Sequence, residues 1–191
     1  MRTEREFYNQ FVETIDNNIE ELYRIRGDLE SLEKRKNSNR YKEEYIRNEV
    51  DPQIRSLKKE MEERRKTGKK EVEDLCEEYR RELLEADSLK GSELTDDARL
   101  LSLGIPLSKK DLSSMLSRNP NNGTMLQLIL KYAAEHEINL GVEYVGHSGT
   151  IDKLGGLPYA AEVALKWYEN NDVYNQLIGE GSELSRLFPE S

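Results

Sequence analysis

The feature that most constrains the fold is a regular spacing of apolar residues near the start of the chain. In a heptad frame, positions a hold Tyr8, Ile15, Leu22 and Leu29, and positions d hold Phe11, Asn18, Ile25 and Leu32. Seven of these eight residues are apolar, and a repeat of 3.5 residues keeps them on one side of a supercoiled helix. An amphipathic helix on a globular core is the alternative. The narrow stripe and the very polar flanks favour a coiled coil.

A second helical run follows the polar stretch "KNSNR", residues 36–40, which is typical of a turn. We predict that the turn at Asn37–Asn39 closes an antiparallel hairpin. The second helix adds to the apolar seam Val50, Ile54, Leu57, Met61, Val72, Leu75 and Tyr79. Pro52 leaves two alternatives, a break between two helices or one kinked helix. The apolar positions Met61 and Val72 are eleven residues apart, and Gly68 lies between them. This spacing indicates a local slackening of the supercoil.

A two-helix hairpin with one narrow seam buries little apolar surface. Tyr8, Ile19, Tyr23 and Tyr45 are expected to have surface left over, which favours self-association into a homo-oligomer. Asn18 is the one polar member of the first seam, and such a residue fixes register or oligomer state at a cost in stability. We therefore expect Asn18→Leu to raise thermal stability and to broaden the distribution of oligomers.

Composition divides the chain into two parts. The apolar share is 36% and the charged share 35%, whereas globular chains average about 45–50% and 25%. Only Gly27 and Gly68 precede Gly91, and most glycines and prolines follow it. The prediction is a mainly α protein, with a charged helical hairpin over 1–90 for self-association. A small, mostly helical domain follows over 91–191, with a Gly-rich loop at 146–156 and a boundary near 87–95.

Local signals place helices in the second part. Ser108 and Asp111 have the spacing of a capping box. Thr124 is expected to cap the next helix, and Pro158 to be the first residue of another. The stretch "INLGVEYVG" is either a short extended segment or an irregular link.

No catalytic motif is present, and we expect neither enzymatic activity nor a cofactor. His136 and His147 have no Cys or His at ligand spacing, so no metal site is predicted. Cys76 is expected to be a small apolar filler. The stretch "GHSGTIDKLGG", residues 146–156, lacks the order of a phosphate-binding loop and is predicted to be a flexible surface loop.

Charge and cysteine content limit the partners and the cellular compartment that we expect for this chain. The net charge of −9 argues against an electrostatic nucleic-acid binder, and no apolar stretch is long enough to span a membrane. A single cysteine is consistent with a reduced, cytoplasmic setting. The tail "SELSRLFPES" either packs on its own domain or serves as a docking motif, through Leu184, Leu187 and Phe188.

A hairpin of this kind followed by "LTDDARLLSLGIPLSKKDLSSMLSRNPNNGTMLQLILKYAAEHEINL" resembles small proteins of tailed phages of Gram-positive bacteria, over about residues 5–140. The resemblance implies a scaffold-like or minor structural protein of virion assembly. It would act in the host cytoplasm and associate with itself and with capsid or other virion proteins. The alternative is an acidic, regulatory module that binds a host or regulatory protein.

Overall fold

The computed structural model describes residues 1–38 and 40–189. Its helices are α1 (Glu4–Lys36), α2 (Glu43–Tyr45), α3 (Asp51–Asp87), α4 (Asp96–Ser102), α5 (Lys109–Arg118), α6 (Gly123–Glu135), α7 (Ser148–Leu154), α8 (Leu157–Lys166), α9 (Asn171–Leu177) and α10 (Glu183–Leu187). No strand occurs among the described residues, and "INLGVEYVG" is an irregular link. The predicted mainly α fold is confirmed.

The predicted antiparallel hairpin is formed by α1 and α3. Lys36 pairs with Asp51 at 2.8 Å at the turn end. At the opposite end the rings of Phe7 and Tyr79 stack with centroids 4.3 Å apart. A capping box of Thr3 and Glu6 starts α1 by satisfying free backbone amides. The predicted turn follows α1 at Asn37 and Ser38, while its third residue, Asn39, lies outside the described residues.

Pro52 is accommodated by a π-helical turn over Ile46–Val50, which joins α2 to α3 in one unbroken helical run. Proline has no N–H to donate and its ring collides with the carbonyl four residues earlier. The backbone instead widens by one residue, and the Asp51 N–H bonds the carbonyl of Ile46. The break proposed as one alternative therefore does not occur.

The chain forms two compact units, which differ from the predicted domains 1–90 and 91–191. Unit 1 consists of residues 1–80 together with the chain from Thr150 onward, and unit 2 is Arg81–Gly149. The predicted C-terminal domain is thus divided, because α8 and the flanking residues Tyr168, Ile178 and Phe188 are buried within unit 1.

In unit 1 the C-terminal segment, residues 150–189, packs on α1. The ring of Phe188 lies 5.3 Å from that of Tyr8 and 5.9 Å from that of Phe7. The Tyr8 hydroxyl donates to the carbonyl of Ile178 at 2.9 Å. These contacts join residues about 170 positions apart in the sequence and complete the apolar core of the hairpin.

In unit 2, helices α4, α5 and α6 surround a small apolar core of Leu112, Met115, Met125, Ile129, Tyr132 and Ala133. The predicted capping box of Ser108 and Asp111 is confirmed. The expected cap at Thr124 is wrong, because Asn122 accepts the bond from the Met125 N–H and caps α6. In unit 1, Pro158 is the second residue of α8 rather than the first.

Asp97 is the polar anchor of unit 2, and Asp97→Ala is expected to destabilise it by about 1–3 kcal/mol. Its carboxylate, 8% exposed, accepts two bonds from the Arg118 guanidinium, at 2.6 and 3.2 Å, and one from Asn119. Arg118 holds the pKa of Asp97 below the ordinary 3.8. This stabilisation is therefore present above pH 3.8 and is lost as the pH falls through the lowered pKa.

The measurement is hydrogen exchange of the amides of α4 and α5 at neutral and acidic pH. Asp96→Ala is the matched control, because the exposed neighbour Asp96 gives only a helix-terminus charge, worth a few tenths of a kcal/mol. Equal loss of protection in both variants would contradict the assignment.

Candidate interaction surface

The residues predicted to form the seam lie on the buried face of the hairpin. On α1 the buried residues include Tyr8, Phe11, Ile15, Asn18, Leu22, Ile25, Leu29 and Leu32. On the second helical run they include Val50, Ile54, Met61, Val72, Leu75 and Tyr79. Leu57 is only half-buried.

The surface expected to be left over for other copies is largely used by the same chain. Tyr8 and Ile19 are buried. Tyr23 packs edge-to-face on Tyr168 and donates to its carbonyl at 2.9 Å. Tyr45, 42% exposed, stacks on Tyr41 near the turn. In the half of the hairpin that carries the C-terminal segment, intramolecular packing therefore replaces the contacts that we expected between chains.

Gly68 lies on α3 where side chains of α1 and α8 pack against it. A Cβ built there would lie 2.5 Å from the Asn18 Oδ1 and 2.9 Å from a methyl carbon of Leu165. Gly68 lies within the continuous helix α3, and its missing side chain makes room for α1 and α8. The interruption read as a slackening of the supercoil is thus a packing site.

Asn18 is buried at this junction, and Asn18→Leu is expected to stabilise the hairpin by about 1 kcal/mol. Its Nδ2 donates to the Glu71 carboxylate and to the Thr14 carbonyl, both at 2.7 Å, whereas no donor among the described residues reaches its Oδ1. Leucine of similar shape removes that unsatisfied oxygen, and the half-exposed Glu71 remains solvated. Thermal unfolding measures the gain.

The mass in solution should stay that of the wild type, because Asn18 is buried among helices of one chain. The heptad alone predicts a broadened distribution of oligomers instead. A lower melting temperature would show that the bond from Asn18 to Glu71 outweighs the unsatisfied oxygen.

The tail predicted as a docking motif packs on its own chain, which is the other alternative left open by the sequence. Phe188 is fully buried, Leu184 is half-buried and Leu187 is 42% exposed. In this state only Leu187 presents much of its surface to solvent, so the motif as a set is not available to a partner.

Beyond the C-terminal segment, the hairpin continues as a two-helix arm, which we define as residues 27–60. The hydrogen bonds, ion pairs and ring contacts that described residues of the C-terminal segment make with the hairpin reach Arg26 on α1 and Arg65 on α3, and none falls on the arm. One face of the arm carries a groove of about 360 Å³ between its helices. The lining residues of this arm groove are Asp28, Ser31, Leu32, Arg35, Gln53, Ser56 and Leu57.

The Gly-rich stretch 146–156, predicted as a flexible loop, instead contains helix α7. Thr150 and Leu154 of this helix are buried, and the Glu4 carboxylate accepts a bond from Thr150 and pairs with Lys153 at 2.8 Å. Packing of these side chains overrides the helix-weakening effect of the glycines.

Within unit 2, Asp87 holds the start of this stretch. Its carboxylate accepts the His147 N–H at 2.8 Å and the Tyr144 hydroxyl at 2.7 Å, and lies 2.7 Å from the His147 Nδ1. Burial by itself would raise the pKa of Asp87, but the bonds from His147 and Tyr144 outweigh it and hold the pKa below its ordinary value. The cluster acts as an anchor for the backbone at 144–147.

The other residues considered for chemistry have structural contacts. Burial raises the pKa of the Cys76 thiol to about 11, so the thiol stays protonated at neutral pH. His136 stacks on Tyr132, and its Nδ1 lies 2.9 Å from that residue's carbonyl oxygen. Over the described part of the chain, no three His, Cys, Asp or Glu residues are grouped so that they could hold a metal ion.

The chain matches no protein-family model, and neither curated proteins nor solved structures give a match. No helix in the described ranges 1–38 and 40–189 combines the length and the apolar character needed to cross a bilayer. The fold and its exposed surfaces therefore carry the functional argument.

Proposed function

We propose that the protein is a non-enzymatic assembly protein that forms homo-oligomers through its helical arm. The observation that carries this proposal is the contrast between the part of the hairpin that the C-terminal segment covers and the arm. Where the C-terminal segment covers it, the apolar seam is closed within unit 1. Along the arm, no described element of unit 1 covers the groove, and Leu57 remains half-exposed in it. A narrow two-helix seam gains most of its further stability from a third or fourth helix.

Light scattering after size exclusion tests self-association at tens of micromolar protein. We expect a mass above that of one chain, falling on dilution, because the groove is small and its walls are polar. A strict monomer over that range would contradict the proposal.

We further propose that the structure being assembled is a virion, as the resemblance to structural proteins of tailed phages implies. High charge, a long hairpin and a modest core suit contacts that form and later release. The expected results are a gene beside portal, protease or capsid genes, and association with particles of the neighbouring capsid protein. Particles whose yield and size are the same with and without this chain, and that never bind it, would contradict this role.

A second candidate function is an acidic module that binds a host or regulatory protein. The observation in its favour is a set of exposed apolar side chains at and beside α4 in unit 2. Their exposures are 50% for Leu94, 39% for Leu100, 54% for Leu103 and 50% for Ile105. Isolated exposed apolar residues are common, but a cluster close together in sequence indicates a contact site.

This candidate predicts one stoichiometric partner from host lysate, lost on Leu103→Lys and retained by arm-groove variants. Capture unaffected by Leu103→Lys, or a partner that is capsid protein alone, would argue against it.

A further inference from the structure

The arm groove carries two charged residues at its ends. Asp28 and Arg35 are seven residues apart on α1, about 10 Å along the helix axis, and both are exposed. Neither forms a direct ion pair with another described residue, and Asp28 acts on Arg24 only through the longer-range attraction of their charges. Arg24, one turn before Asp28, is held by Glu21 at 2.9 Å and by Glu60 at 3.6 Å.

Several charges around them are paired within the chain. The pairs are Arg26 with Glu30 at 3.0 Å, Glu33 with Lys58 at 3.7 Å and Lys36 with Asp51 at 2.8 Å. Asp28 and Arg35 are the two charged residues that line the groove, and they have opposite signs.

The rest of the groove suits a close helical contact. Leu32 and Leu57 supply its apolar part, and the short side chains of Ser31 and Ser56 let another helix approach. The midpoint between Asp28 and Arg35 falls at Ser31 and Leu32, which themselves line the groove.

We propose that the arm groove receives the arm groove of a second copy of this chain, across a twofold axis near Ser31 and Leu32. A twofold axis perpendicular to α1 reverses the order of its residues, so Asp28 of each copy meets Arg35 of the other. Such a contact is isologous and closes at a dimer. The inference rests on the proposed self-association and specifies its face and symmetry.

We assign a second copy of the chain to the groove because the charge pattern of the groove is complementary to itself. The opposite charges lie at equal distances on either side of the apolar centre, which is the pattern that a twofold contact requires. Another partner would need the same two charges, in reversed order and at the same spacing.

Charge reversal tests this face. Asp28→Arg and Arg35→Asp should each weaken self-association tenfold or more, because each places like charges together twice in the dimer. The double variant carrying both changes should regain wild-type association. An equimolar mixture of the two single variants should form a heterodimer, since every contact then joins opposite charges. Lys34→Asp is the matched control, because Lys34 does not line the groove.

Sedimentation velocity of each variant and of the mixture is the readout, with circular dichroism as a check of helix content. A monomeric wild type would overturn the proposed self-association itself. An associating wild type whose single variants match Lys34→Asp would leave self-association standing and overturn this face. Failure of the mixture to associate, with both single variants weakened, would overturn the twofold arrangement.

Discussion

Phe188→Ala is expected to lower the free energy of unfolding of unit 1 by about 3–5 kcal/mol. Phe188 is fully buried against the rings of Tyr8 and Phe7, at the end of the chain that closes the hairpin. Truncation removes the apolar surface that the Phe188 ring buries on folding. It also leaves a cavity among aromatic side chains, and the surrounding structure cannot collapse fully into that cavity. The loss also frees the carbonyl of Ile178 to move from the Tyr8 hydroxyl.

The measurement is denaturant unfolding followed by the fluorescence of Trp167, the one tryptophan of the chain, which lies in unit 1. Leu187→Ala is the matched control, because the Leu187 side chain next to Phe188 is 42% exposed. Its truncation should change the free energy of unfolding by only about 0.5 kcal/mol. Similar small effects from both variants would mean that the tail does not close the hairpin.

Gly68→Ala is the second change with a large expected effect, a net loss of about 1–2 kcal/mol. The new Cβ meets Asn18 at 2.5 Å and Leu165 at 2.9 Å. Overpacking of this kind costs about 1–3 kcal/mol, against a gain of about 0.5–1 kcal/mol from replacing glycine in a helix.

Gly27→Ala provides an internal comparison in the same hairpin. A Cβ at Gly27 meets nothing within 4 Å, so only the helix gain remains and stability should rise by about 0.5–1 kcal/mol. Opposite signs for the two substitutions, in the same unfolding assay, are the expected result. A stabilising Gly68→Ala would show that the side chains of Asn18 and Leu165 yield to a methyl group, and that the packing at this residue is not tight.

The hairpin was predictable because its pattern is local. The heptad from Tyr8 to Leu32 repeats within a single helix, and the face it defines is the buried one. The π-turn also left a signal, the step of five residues from Tyr45 to Val50 just before Pro52, where the other steps are mostly three or four.

The packing of the C-terminal segment on the hairpin was not predictable in the same way. The contacts of Phe188 and Ile178 with Tyr8 join distant parts of the chain and leave no periodic pattern. The division of residues 91–191 between two units follows from those contacts. Glycine content misled the prediction at 146–156, because the pairing of Lys153 and Thr150 with Glu4 is equally distant in sequence.

The arm groove was also missed in the sequence. In the sequence, Asp28 and Arg35 look like ordinary surface charges of a charged helix, and only the structure shows that they line one groove. That the described residues 150–189 make their polar and ring contacts with other parts of the hairpin could not be read from local pattern either.

Sedimentation equilibrium of the wild-type chain, over a concentration series up to tens of micromolar, is the direct test of self-association through the arm. We expect a reversible approach to twice the chain mass of 22.2 kDa. A mass that stays at 22.2 kDa at every concentration would contradict it.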